Sequence, residues 1–63
     1  MGKYDAQIER SKRMLAEAQK KYHEAVIKMA DAAPHVKELV LNTYKNDIEK
    51  AKNMIATFES AND

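Results

Sequence analysis

The chain has 63 residues, no cysteine, no tryptophan, one glycine and one proline; it is 44% hydrophobic and 33% charged, with a net charge of +1. That composition excludes a disulfide framework and a thiolate metal site, and it matches long charged helices rather than a sheet or a disordered segment. The length supports one small domain, residues 1–63, in a size range where the area one chain can bury is marginal, so self-association is expected.

The first element is a helix over about residues 3–30. After Gly2 this stretch has neither glycine nor proline, and its apolar positions Tyr4, Ile8, Leu15, Ala18, Tyr22, Ala25, Val26 and Met29 are spaced by threes, fours and sevens. Written as heptads, large residues at a (Ile8, Leu15, Tyr22, Met29) alternate with small ones at d (Ser11, Ala18, Ala25, Ala32). Such a seam lets a second helix approach closely. Opposite charges four residues apart, Glu9 with Arg13, Glu17 with Lys21 and Glu24 with Lys28, mark the solvated flanks.

The break comes at Asp31-Ala32-Ala33-Pro34. Proline cannot continue a helix, disfavours helical backbone at the residue before it, and fits the first turn of a new one. Asp31 is the candidate cap of that new helix. A single kinked helix is the competing reading.

A second helix over about residues 34–59 carries Leu41, Tyr44, Ile48, Ala51, Ile55 and Phe58 in alternating steps of three and four. Folding the chain back at the tight turn near residues 31–34 pairs positions whose numbers add to about 66, as an antiparallel hairpin with a short loop requires. Ile8 then meets Phe58, Ser11 meets Ile55, Leu15 meets Ala51, Ala18 meets Ile48 and Tyr22 meets Tyr44. Small faces large in three of the five layers. The last residues, 60–63, are expected to fray. The fold class is therefore all-α, an antiparallel helical hairpin that self-associates into a bundle.

Two helices bury one stripe against each other, so the leftover apolar residues carry information. Met14, Val40 and Met54 fall at g positions beside the seam, while Ile27 and Leu39 fall at f, away from it. Between Ala25 and Leu41 eleven of seventeen residues are apolar. A helix end that is hydrophobic all round is normally covered. A further copy of the chain or a groove in another protein could cover it, with Ile27, Val36, Leu39 and Val40 as the protein-binding anchors.

The charges suggest an alternative. Residues 10–21 hold five cations against Glu17 alone, and Arg10, Arg13, Lys20 and Lys21 could track phosphates of RNA or DNA. No aromatic residue lies on that ridge to stack a base.

For catalysis the residues offer little. His23-Glu24-Ala25-Val26-Ile27 begins like the zinc-protease motif, but Ile27 stands where the second histidine is needed. His35 has no ligand partners at metal spacing, Ser11 has no histidine within expected reach, and no glycine-rich phosphate loop occurs. Tyr22 and Tyr44 could frame a small ligand pocket between two hairpins. No cofactor is expected.

No apolar run approaches the roughly 18 residues of a membrane span, and the start lacks the apolar stretch of a signal peptide. A cytoplasmic protein without membrane contact is expected. Met1-Gly2-Lys3-Tyr4-Asp5-Ala6 has Ala6 where a myristoylation site would carry Ser or Thr. The leading expectation is a non-enzymatic interaction protein, regulatory or inhibitory, that forms a homo-oligomer and binds another macromolecule through its apolar turn end. A nucleic-acid-binding hairpin and a purely structural assembly unit are the alternatives.

Overall fold

Pro34 does what its chemistry demands. In the computed structural model, which describes residues 2–62, the chain forms α1 over Asp5–Lys28 and α2 over Pro34–Ala61, folded back on each other as an antiparallel hairpin. Ala33, just before the proline, is extended at φ −58°, ψ 142°, and Pro34 opens α2. The kinked-rod reading is thereby excluded.

α1 ends without a glycine. Its last turn tightens instead: the Ala30 and Ala32 N–H groups donate to the carbonyls of Ile27 and Met29, three residues back, and no described residue takes a positive φ. The expected Asp31 cap does not form. Ala33 occupies the cap position of α2 and no side chain caps that helix, because the extended residue before the proline sets the cap position two residues beyond Asp31.

The burial pattern follows the heptads. Ile8, Ser11, Ala25 and Ala51 are buried; Leu15, Ala18, Tyr22, Met29 and Ala32 on α1, and Leu41, Tyr44, Ile48, Ile55 and Phe58 on α2, are half-buried. The most deeply buried residues, Ser11 and Ala51 at 1% exposure each, are small. Complete burial of small side chains in a two-helix seam means that the backbones come close there. Larger seam residues other than Ile8 project past the contact and stay partly open to the sides.

The end opposite the turn is tied by polar contacts. The Asn62 side chain accepts a hydrogen bond from the Tyr4 N–H through Oδ1 (2.8 Å) and donates through Nδ2 to Asp5 Oδ1 (2.8 Å). The other Asp5 oxygen accepts from the Gly2 N–H at 3.0 Å. Beside this clasp the Tyr4 and Phe58 rings pack at 5.3 Å between centroids, with the Lys3 ammonium 5.6 Å from the tyrosine ring centre. Helix α2 therefore runs through Ala61, two residues past the sequence boundary, because its terminus is held by α1. Asp63 lies outside the described residues. A Cβ at position 2 would meet the Asn62 amide, which would have to shift to admit it.

The result is a narrow plank. Its Cα extents are 48 × 15 × 8 Å, and its radius of gyration of 14.6 Å exceeds the roughly 11 Å of a compact globule of this length. A 28-residue helix measures about 42 Å, so the long dimension is one helix plus its turn. No described helix is long and apolar enough to cross a membrane.

Candidate interaction surfaces

A hairpin of two helices has two broad faces and two edges, and the heptad position of a residue decides which it occupies. The a and d rows form the seam, g residues of both helices flank one broad face, e residues flank the other, and f residues lie along the edges. The four aliphatic residues predicted at the turn end divide accordingly.

Ile27 on α1 and Leu39 on α2 are 76% and 69% exposed, the most open large apolar side chains described. Both are f residues, so each points away from the opposing helix and they occupy opposite edges of the plank. Val36 and Leu39, three residues apart on α2, share one exposed stretch of helix surface. Val40 turns inward: it is half-buried and lines a groove of about 400 Å³ with Met29, Tyr44 and Lys28. The turn end is thus apolar on both sides rather than along a single patch.

Further along the g face a second groove, about 280 Å³, is walled by Met14 and Met54 and floored by Ala18. Its polar lining is Glu17 and Lys21 from α1, with Asp47 and Lys50 from α2. Lys21 lines both grooves, which lie next to each other along the g face. Met14 and Met54 are 47% and 38% exposed. The e face carries its own depression of about 320 Å³ near the turn, bounded by Tyr22, Pro34, Leu41 and Lys45 among others.

The two phenols expected to face each other in the core go separate ways. Tyr22 borders the e face and Tyr44 the g face, because an a residue and a d residue lean to opposite sides of the seam. The two rings therefore open onto opposite faces of the hairpin.

The basic ridge is present but divided. Arg10, Arg13, Lys20 and Lys21 are all exposed on α1. Arg13 and Lys20 run along the edge, whereas Lys21 sits in the g-face groove in the company of Glu17 and Asp47. A phosphate approaching Lys21 meets two carboxylates. Both histidines are exposed, His23 with its ring edge-on to Tyr22 at 6.1 Å, and among the described residues no three metal-ligating side chains converge.

The clasp at Asn62 is the one arrangement that sequence reading missed altogether. The available signal was an amide side chain opposite a helix start whose first residues supply no cap of their own.

No protein-family model, curated protein or solved structure matches this chain, so a functional reading stands on its own side chains.

Proposed function

We propose that this protein is a non-catalytic interaction module that self-associates and docks its turn end into an apolar cleft of another protein. The observation that carries the reading is the exposure of Ile27 and Leu39 on opposite edges beside the turn. Two aliphatic side chains back to back cannot both lie on a flat surface. A cleft that takes the turn between two walls covers both, and Val36 adds to the α2 side of the contact.

Apolar docking of this kind is driven by water release from hydrocarbon surface rather than by charge. Regulation by occupying such a cleft, including inhibition, is the mode of action that a small rigid wedge serves.

The test is binding by the Ile27→Asp/Leu39→Asp double variant. Both positions are exposed, so the hairpin itself should keep its helicity. A partner captured from the source organism and then purified should bind the variant at least about tenfold more weakly than the parent, as expected when anchor residues are lost, with little response to added salt in the parent. Equal affinity for parent and variant would refute the turn-end reading, and a steep salt dependence, removed by Arg13→Glu/Lys20→Glu, would favour the nucleic-acid alternative.

A further inference from the structure

We propose that the g face, with Met14 and Met54 at its centre, packs against the same face of a second copy, and that the two-fold axis runs along the hairpin so that both turns lie at the same end. This shares with the functional reading only the premise of self-association; turn-end docking can fail without affecting it.

In the register that brings Asp5 against Asn62, Met14 stands level with Met54, Glu17 with Lys50, and Lys21 with Asp47, and these six side chains line one groove. The sign of charge therefore alternates both along and across the face. A half-turn about the long axis exchanges α1 and α2 at unchanged height. Glu17 then meets Lys50 of the second copy, Lys21 meets its Asp47, and the two methionine levels coincide. Every contact in this set is complementary, as an isologous interface requires.

A half-turn about the short axis, with the turns at opposite ends, also matches charge: Glu17 would meet Lys21 and Lys50 would meet Asp47. It sets the methionines over Glu24 and Thr43, however, leaving their apolar surface against polar groups. The methionines thus choose between the two orientations. The size is adequate: a face of 48 by 15 Å has a footprint of about 700 Å², close to the roughly 800 Å² per partner of a standard interface.

Charge exchange reads out both the dimer and its orientation. By sedimentation equilibrium the parent chain should be a dimer, and Glu17→Lys should weaken it at least about tenfold with helicity retained. The double variant Glu17→Lys/Lys50→Glu should restore the dimer, whereas Glu17→Lys/Lys21→Glu should not. A monomeric parent, a dimer indifferent to Glu17→Lys, or the opposite pattern of rescue would overturn the proposal. Should a charge variant fail to fold, the cysteine-free chain permits an independent measurement. Equal amounts of Gln7→Cys and Ala61→Cys chains, mixed and mildly oxidised, should form a disulfide between the two variants; absence of that species would also overturn it.

Discussion

Ala51 and Ala18 are both small seam residues, yet the structure sets them in different surroundings. Ala51 is 1% exposed, shut between the helices, whereas Ala18 forms the floor of an open groove. Extra methylenes at a closed position force the helices apart. Ala51→Leu is therefore expected to cost about 1–3 kcal/mol, and Ala18→Leu clearly less, because its added atoms can rise into the groove. Thermal unfolding of the two variants side by side checks this, and equal losses would mean that the seam is uniform. In the heptad pattern the two alanines are equivalent d residues. Their difference comes from what stands across from each and how far it reaches, which periodicity does not encode.

At the scale of the helix, the termini are where sequence and structure part. The stripe from Ile8 to Met29 and from Leu41 to Phe58 was legible because a 3.5-residue period is local information, and the reversal at Pro34 because proline and its predecessor have few backbone options. The caps were not. Asp31 is a good capping residue in the wrong place, and Ala33, which takes the position, has no side-chain oxygen to offer. Ala33→Asp should therefore supply the missing acceptor and raise stability by about 1 kcal/mol, measurable as a Tm increase of roughly 4–8 °C for a domain of this size. A lower Tm would show that the turn rejects the side chain. At the far end Asn62 serves two helices at once, a contact spanning 58 positions of sequence. Only the antiparallel register of α1 and α2 brings it about, and no local pattern announces it. Asn62→Ala should lower Tm by a few degrees, in line with the roughly 1 kcal/mol of a typical hydrogen bond, whereas a shift below about 1 °C would mean that water replaces the amide without loss.

For the whole molecule, shape governs what the surface can do. The apolar residues around the turn read as one cluster along the chain, because sequence distance says nothing about which edge of a plank a residue occupies. Their heptad letters do: Ile27 and Leu39 share the f row on different helices, which places them on opposite edges, while Val40 belongs to the g face. The divided basic ridge has the same origin, since Lys21 lies one heptad row away from Lys20 and keeps company with Asp47 from the other helix. The hairpin thus separates its surfaces by direction. A long face of mixed charge and methionine runs between two ends of different character, one apolar and one closed by hydrogen bonds.

Because the clasp holds Gly2 beside Asn62, the first and last described residues lie side by side, nearly the full 48 Å from the bend. A fluorescent label, an affinity handle or a neighbouring domain attached to either terminus would therefore sit at the same end, and the bend would point outward like the head of a probe.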